Sequence, residues 1–177
     1  YLTTREEGVE YTNVCFNEYD REKYGNVIPE GVNVLESLKG NGEIFGCFEE
    51  CRSMIGISIP NSVSCIGDKC FYFCTLLRCV SVGNSVSSIG DRCFCGCYSL
   101  KIINIPSSVN SIGKYCFDGC RLLMSISIPS SVSSIGEGSF RGCNSMSSLS
   151  LPSIFESKMK DIFENGEVPK GCKITYI

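Results

Sequence analysis

Histidine and tryptophan are both absent from the 177 residues of this chain. Without histidine, the chain lacks the commonest general base and the commonest nitrogen ligand for metals. It is also poor in basic residues, because 16 Lys and Arg stand against 19 Asp and Glu, which gives a net charge of −3. Nucleic-acid-binding domains usually carry a basic stripe, so this charge argues against nucleic acid as a partner.

Long apolar runs and targeting signals are absent as well. No stretch approaches the roughly 18 consecutive apolar residues of a membrane helix. The opening residues, YLTTREEGVEYT, are charged and contain no apolar signal-peptide core. The sequence has no Asn-x-Ser/Thr glycosylation site. These absences favour an intracellular location, cytoplasmic or nuclear, although the first residue is not Met and a leader that has been trimmed away is the alternative explanation.

A 23-residue repeat is the strongest pattern that is present. Its template reads I-x-I-P-x-S-V-x-x-I-G-x-x-C-F-x-x-C-x-x-L. Self-similarity at such a period is typical of a solenoid, in which each coil buries its apolar side chains against its neighbours. Three sets of residues recur at this interval: Ile66, Ile89, Ile112 and Ile135; Phe71, Phe94, Phe117 and Phe140; Cys74, Cys97, Cys120 and Cys143.

Each segment of the template predicts a structural element. The alternation in Ile57-Ser58-Ile59 predicts a short strand with one buried face. The S-V-x-x-I-G segment predicts a turn and a second extended piece, and C-F-x-x-C-x-x-L places apolar residues at helical spacing. We therefore predict a β-rich solenoid of stacked parallel short strands, with short helical turns on the opposite side and a cap at each end.

The repeats define the domain organisation. We assign residues 28–151 to the solenoid, whose first copy carries about eight extra residues, ESLKGNGE, relative to the period. That insertion is expected to form a surface loop. Residues 1–27 are more highly charged and are read as an N-terminal cap or a degenerate repeat, with a weak hint of the template in Cys15-Phe16.

The period ends after Leu151, and residues 152–177 are read as a C-terminal cap. Apolar residues from Phe155 to Phe163 follow helical spacing, which predicts a helix. The alternation in the last residues, Cys172 to Tyr176, predicts a final short strand.

Residues 103–123, INIPSSVNSIGKYCFDGCRLL, resemble the BspA-type leucine-rich repeat, and the resemblance covers Ile28 to Leu151. It implies a leucine-rich-repeat solenoid whose strand-lined face binds other proteins. Many members of that family are surface adhesins of bacteria and protists, and others are intracellular. The family usually has a small residue such as Ala before the Phe, whereas this chain has Cys70, Cys93, Cys116 and then Ser139.

Most of the 14 cysteines lie in two columns of the repeat. We predict that these thiols are free and buried, because a free thiol packs as a small hydrophobe. Cysteines four apart at helical spacing lie about 5–6 Å apart between Cβ atoms, too far for a disulfide. Disulfides between coils and a metal site remain as alternatives. The columns are Cys47, Cys70, Cys93 and Cys116, and Cys51, Cys74, Cys97, Cys120 and Cys143.

Cys65, Cys79 and Cys95 fall outside both columns. We predict that all three are exposed. Drift at solvated positions accounts for them, and a redox or metal role is the alternative, which would need an accessible, electropositive setting.

Nothing in the sequence indicates catalysis. The serines occupy turn positions and have no histidine to activate them. Asp68 and Asp91 share a column, but Lys114 and Glu137 continue it, so no pair of carboxylates is singled out. We predict no enzymatic activity, no cofactor and no metal site.

The outward side of the strands is the candidate protein-binding face. It is small, neutral and flat, with Ile102 as its only large apolar residue, and it lacks the Tyr, Trp and Arg anchors of many hot spots. A merely solvated sheet is therefore the alternative, and the insertion near Lys39 and the N-terminal cap are rival contact sites. The candidate residues are Ser58, Arg78, Cys79, Ser81, Lys101, Ile102, Asn104, Ser125, Ser127 and Ser150.

The function predicted from the sequence is that of a non-enzymatic, intracellular protein-interaction scaffold. The alternative is a fragment of a cell-surface adhesin that binds host or matrix proteins. The sequence does not name the protein partner, and it leaves open whether two arrays join end to end as a homo-oligomer.

Overall fold

The structure is a computed structural model that describes residues 15–16, 27–28, 32, 34–35, 38–40, 43–163 and 168–177. Within these residues the chain winds as a parallel-strand solenoid with little helix, which confirms the predicted fold class.

The I-x-I segments form strands that pair in parallel from coil to coil. Gly56 pairs with Cys79, and Cys79 with Ile102, so each register step equals one repeat. Each strand starts at the residue before the first Ile of the template. The strands form two three-stranded sheets, ordered β5-β7-β9 and β11-β13-β14. Their bounds are β5 Gly56–Ser58, β7 Cys79–Ser81, β9 Ile102–Ile103, β11 Ser125–Ser127, β13 Ser148–Leu151 and β14 Lys173–Tyr176.

The second extended piece of each copy forms a separate six-stranded parallel sheet, ordered β1-β2-β6-β8-β10-β12. The Cys15-Phe16 pair belongs to this sheet, because Cys15 pairs with Val34 and Val34 with Cys65. It therefore aligns with the Ser-Ile strands and not with the Cys-Phe turns. The bounds are β1 Cys15–Phe16, β2 Val34–Leu35, β6 Cys65–Ile66, β8 Ser88–Ile89, β10 Ser111–Ile112 and β12 Ser134–Ile135.

A close approach between coils explains the glycine that follows each Ser-Ile strand. A Cβ atom on Gly113 would lie 2.5 Å from the backbone nitrogen of Asp91 in the preceding coil. Only a residue without a side chain fits there, so the Ile-Gly pair recurs in every strict copy.

Two short strands lie in and next to the insertion of the first copy. They are β3 Leu38–Gly40 and β4 Glu43–Phe45, which pair antiparallel. The solenoid then resumes its register, since Phe48 N–H donates to the Cys70 carbonyl at 2.8 Å.

The Cys-Phe side of each coil consists of successive turns. Cys74 N–H donates to the Phe71 carbonyl, and Leu77 N–H donates to the Cys74 carbonyl, at 3.1 and 3.0 Å. Lys69 and Phe73 have φ angles of +51° and +55°, in the left-handed region. Left-handed residues interrupt a right-handed helix, so the helical spacing of the sequence produces turns here and not a continuous helix.

The core is a set of columns that run along the solenoid. Successive phenylalanine rings lie nearly parallel, with centroids 5.1 to 5.6 Å apart. The cysteine columns and the inward aliphatic residues complete the core. Five of the largest fully buried side chains belong to this stack: Phe48, Phe71, Phe94, Phe117 and Phe140.

The C-terminal residues cover the last coil on two sides. The predicted helix is present, as a 3-10 helix Ser153–Lys158 followed by an α-helical turn Met159–Ile162. Phe163 lies 5.9 Å from Phe140 between ring centroids, at the end of the phenylalanine stack. The predicted final strand is also present as β14, which pairs with β13. The assignment of residues 152–177 as a separate cap stays a prediction.

Candidate functional site

The predicted binding residues lie on the outer surface of strands β5, β7, β9, β11 and β13, which we call the I-x-I face. The strands follow an alternating pattern, so Ile57 and Val80 point into the core while the residues on either side of each are exposed. Ser150 is half-buried. The other predicted residues of this face are exposed: Ser58, Arg78, Cys79, Ser81, Lys101, Ile102, Asn104, Ser125 and Ser127.

The I-x-I face is more apolar than the sequence indicated. Ile102 is 68% exposed, as expected from its position. Four further apolar side chains are exposed just before the strands. They are Ile55 at 58%, Leu76 at 48%, Leu122 at 43% and Met124 at 57%. Ile55 and Met124 share the column of the predicted Arg78 and Lys101, whereas Leu76 and Leu122 lie in a column that the sequence prediction did not include.

Two cations on neighbouring coils share a column with two of these residues. Arg78 N–H donates to the Ile55 carbonyl at 2.7 Å, and Lys101 N–H donates to the Arg78 carbonyl at 2.9 Å. Ile55, Arg78 and Lys101 therefore occupy the same position in successive coils, and Met124 occupies it in the next. We call Ile55, Leu76, Arg78, Lys101, Ile102, Leu122 and Met124 the apolar-basic strip. A signal was available in the sequence, because large residues stand here where other copies have Ser53, Ser99, Ser145 and Ser147.

The cysteine columns lie in the core, as their position in the repeat predicted. Cys70, Cys74, Cys93 and Cys97 are completely buried, and Cys51 is half-buried. No disulfide links the thirteen cysteines from Cys47 onward, all within the described part of the chain. Their redox state in the cell stays a prediction.

The second cysteine column uses its thiols as hydrogen-bond donors. Cys74 Sγ donates to the Phe48 carbonyl at 3.0 Å, and Cys97 Sγ donates to the Phe71 carbonyl at 3.2 Å. In the next two coils, Cys120 and Cys143 make the same contact with the carbonyls of Phe94 and Phe117. Each thiol thus ties a turn to the carbonyl of the preceding coil.

The first column makes different contacts. The sulfur atoms of Cys47 and Cys70 lie 2.8 Å apart. Ser139 replaces cysteine in the last coil, where the carbonyls of Gly113 and Gly136 both lie within hydrogen-bond distance of its hydroxyl and share its single proton. Burial raises the pKa of the Cys93 and Cys97 thiols well above the usual range. Because the thiolate is the reactive form, these thiols are poor nucleophiles at neutral pH.

Among the cysteines outside the columns, the prediction of exposure is correct for Cys79 and wrong for Cys95, which is buried. Cys95 lies in a turn, where its thiol is 3.8 Å from the Asp118 carboxylate of the next coil. Burial, followed by the charge of Asp118, raises the pKa of Cys95 to about 11. Cys65 is half-buried and accepts a hydrogen bond from the Ser88 hydroxyl at 3.1 Å.

A shallow groove of about 470 Å³ runs over the Ser-Ile sheet. Its carboxylates serve the backbone: Asp68 accepts from Asp91 N–H and Asp91 accepts from Lys114 N–H, both at 2.7 Å. No group of three or more His, Cys, Asp or Glu in the described ranges could hold a metal ion. None of the helices described is long and apolar enough to cross a membrane.

Solved structures of other leucine-rich-repeat proteins are similar to this chain. The leucine-rich-repeat protein TpLRR of T. pallidum is 28% identical, with a TM-score of 0.62 over 78% of this chain and 64% of that one. A leucine-rich-repeat protein from Bacteroides ovatus is 29% identical, with a TM-score of 0.54 over 68% of this chain and 40% of that one. The pneumococcal vaccine antigen PcpA is 18% identical, with a TM-score of 0.56 over 66% of this chain and 30% of that one, and shares the fold.

The chain therefore spans less than two thirds of the length of each of these proteins. No curated protein matches it. The family model of the BspA type leucine rich repeat region matches six copies over residues 45–168. The 23-residue register, the stacked phenylalanines and this match agree, and the chain belongs to the BspA-type leucine-rich-repeat family.

Proposed function

We propose that the chain is a non-enzymatic scaffold that binds a partner protein through the I-x-I face. The family is generally one of interaction scaffolds, which supports the class of function. The observation that carries the choice of face is the exposure of the five apolar side chains of the apolar-basic strip. Exposed apolar side chains gathered on one surface mark interaction sites on soluble proteins.

The absence of constraint on these positions supports the proposal. Ser99 and Ser147 occupy the same columns as Leu76 and Met124, so the fold itself accepts a small polar side chain there. An apolar side chain gains only part of the free energy of burial when about half of its surface remains in water. Binding to a partner would supply the missing burial.

For the compartment we propose the cytoplasm or nucleus. The packing of the cysteine columns supports this, because Cys74 and Cys97 each place Sγ against a backbone carbonyl of the preceding coil, where a free thiol can donate. The cell-surface adhesin is the alternative, supported by the family, in which many members are surface proteins. The two compartments predict different redox states. The two can be separated by isolating the protein from its own cells, denaturing it, counting its thiols and measuring its intact mass. A count of 14 free thiols fits a reducing compartment. A mass deficit of about two daltons for each pair of thiols lost to a disulfide fits the cell surface.

The test of the binding face is a pair of isoleucine substitutions. A library of random peptides displayed on phage is selected on the wild-type chain, and the selected peptides are then measured against Ile102→Asp and Ile154→Asp. Both isoleucines are exposed, at 68% and 58%, but Ile154 lies on the C-terminal 3-10 helix, away from the strip.

Ile102→Asp is expected to weaken binding roughly tenfold or more, since it places a charge in an apolar contact. Ile154→Asp is expected to leave binding unchanged. Binding that survives Ile102→Asp, or a library that yields no binder at all, would contradict the proposal.

A further inference from the structure

We propose that the segment bound by the apolar-basic strip is acidic as well as apolar: an extended stretch of a partner protein in which Asp or Glu alternates with large apolar residues. This inference rests on the proposed function and specifies the chemistry of the partner.

The first argument is the segregation of charge within the repeat. The chain as a whole carries a net charge of −3. Yet one portion of each strict repeat contains no Asp or Glu in any copy, and it does contain Arg78 and Lys101. This portion begins three residues before the I-x-I strand and ends at the Ile-Gly pair. Those portions are residues 53–67, 76–90, 99–113 and 122–136.

The acidic residues of the repeats lie elsewhere. Asp68, Asp91 and Glu137 follow the Ile-Gly pairs, and Asp118 lies in a Cys-Phe turn. Asp118 is paired there with Arg141 at 2.7 Å. The I-x-I face is therefore positive on a chain that is negative overall, which suits an acidic partner.

The second argument is the arrangement of the two cations. Arg78 and Lys101 occupy the same position on neighbouring coils, joined by the backbone bond from Lys101 N–H to the Arg78 carbonyl. The two residues come just before strands β7 and β9, and like charges side by side on neighbouring backbone segments disfavour each other. Neither side chain forms a salt bridge with any described residue. Carboxylates of a partner would neutralise both cations.

The third argument is the position of the apolar side chains around the cations. Ile55 precedes Arg78 in the column, Met124 follows Lys101, and Ile102 stands beside Lys101. A purely acidic segment would leave these side chains in water, and a purely apolar one would bury the cations unpaired, which is costly. A segment with both kinds of residue satisfies both.

The charge arrangement favours a protein over an anionic lipid surface or a nucleic acid. Two cations neutralise few phosphates, whereas binding to nucleic acid normally engages many. Stable attachment to an anionic membrane likewise requires a larger cluster of Lys and Arg.

The experiment combines peptide composition with charge reversal. Random peptides of about twelve residues, long enough to cross four coils when extended, are selected on the wild-type chain. The selected peptides are measured against Arg78→Glu/Lys101→Glu and against the control Lys160→Glu/Lys170→Glu. The control makes the same change in net charge at two exposed lysines near the C-terminus. Unfolding in denaturant confirms that both variants remain folded.

We expect the selected peptides to be enriched in Asp and Glu together with Leu, Ile or Phe. Their affinity for the strip variant should fall tenfold or more at low salt, the control should bind as wild type, and added salt should weaken wild-type binding. Vesicles containing phosphatidylserine should neither bind nor compete.

Three results would overturn the inference. If the selected peptides are neutral or basic and Ile102→Asp abolishes their binding, the binding face is supported and the acidic partner is refuted. If neither Ile102→Asp nor Arg78→Glu/Lys101→Glu changes the affinity of the selected peptides, both the binding face and this inference are refuted. Vesicle binding that is abolished by Arg78→Glu/Lys101→Glu would replace the protein partner by a membrane surface.

Discussion

The Cys-Phe side of this solenoid, which we call the turn side, and the I-x-I face are built from the same repeat. They differ in how constant the residue is at each position from coil to coil. On the turn side, the phenylalanine column is unbroken for five coils and the thiol-to-carbonyl bond recurs for four. On the I-x-I face, one column reads Ile55, Arg78, Lys101, Met124 and Ser147.

Burial explains the difference. A side chain in the phenylalanine column contacts the ring before it and the ring after it, so a change in one coil is felt in both neighbours. A side chain in the column that contains Arg78 points into solvent, so the fold accepts almost any residue there. In this chain, a column with a constant residue is one that packs in the core, whereas the residues of a variable column are free to serve binding.

The largest effect is expected for Phe94→Ala, in the middle of the phenylalanine stack. Phe94 is completely buried between Phe71 and Phe117, so its loss leaves a cavity and should cost about 3–5 kcal/mol of unfolding free energy. Leu122→Ala, in the apolar-basic strip, should change it by no more than about 0.5 kcal/mol. Denaturant unfolding of both variants checks this, and similar losses for the two would show that the strip is also part of the core.

The next effect is expected for the cysteines. Cys97→Ala removes a buried sulfur and the donor to the Phe71 carbonyl, and should cost about 1–2 kcal/mol. Cys79→Ala, on the I-x-I face, should be nearly neutral because Cys79 is exposed. Equal midpoints in urea for the two variants would contradict the distinction between the buried Cys97 of the second column and the exposed Cys79.

A third prediction concerns pH and the buried thiol outside the columns. Burial and Asp118 raise the pKa of Cys95 from an ordinary 9.0 to about 11. The folded state therefore holds this proton more tightly than the unfolded state, and the resulting stability is complete below about pH 9 and declines as the pH rises towards 11.

Asp118→Asn should lower the pKa of Cys95, because it removes the charge that disfavours the thiolate. Alkylation of Cys95, followed by peptide mass spectrometry across this pH range, should then shift to lower pH. Cys79 serves as the exposed reference in the same digest. An unchanged profile for Cys95 would mean that Asp118 has no electrostatic influence on the thiol.

The smallest effect has the opposite sign. Lys101→Glu replaces a like-charge pair with Arg78 by an opposite-charge pair on adjacent coils, and should raise the unfolding free energy by about 0.2–1 kcal/mol. Binding of the selected acidic peptides should weaken in the same variant. A gain in stability with a loss of binding would identify Lys101 as a residue retained for its partner, whereas a loss of stability would contradict the repulsion described for this column.

The sequence predicted the constant columns well, because their residues recur at a period that only stacking explains. The fold class, the positions of Phe71 and its equivalents, the C-terminal helix and the final strand all followed from periodicity. Turn geometry was less accessible: left-handed residues such as Lys69 and Phe73 carry no signal of their own, and they convert the helical spacing into turns.

The variable positions were harder to predict because the prediction relied on residues that recur at the 23-residue period. Cys95 is buried in a turn and contacts Asp118 in the next coil, a contact that the repeat template does not contain. The apolar-basic strip was missed in part because Leu76 and Met124 lie just outside the strand columns, where alternation makes no prediction. The antiparallel pairing of β3 with β4 is local and is unrelated to the 23-residue period.

The most direct test of the account is to map a bound peptide on the wild-type chain by amide chemical shifts. A selected peptide should perturb residues 76–81, 99–104 and 122–127 and leave the Cys-Phe turns unchanged. Perturbations centred on the turns around Phe71 and Phe94, with the I-x-I face unaffected, would show that binding and packing are not divided between the two sides as described here.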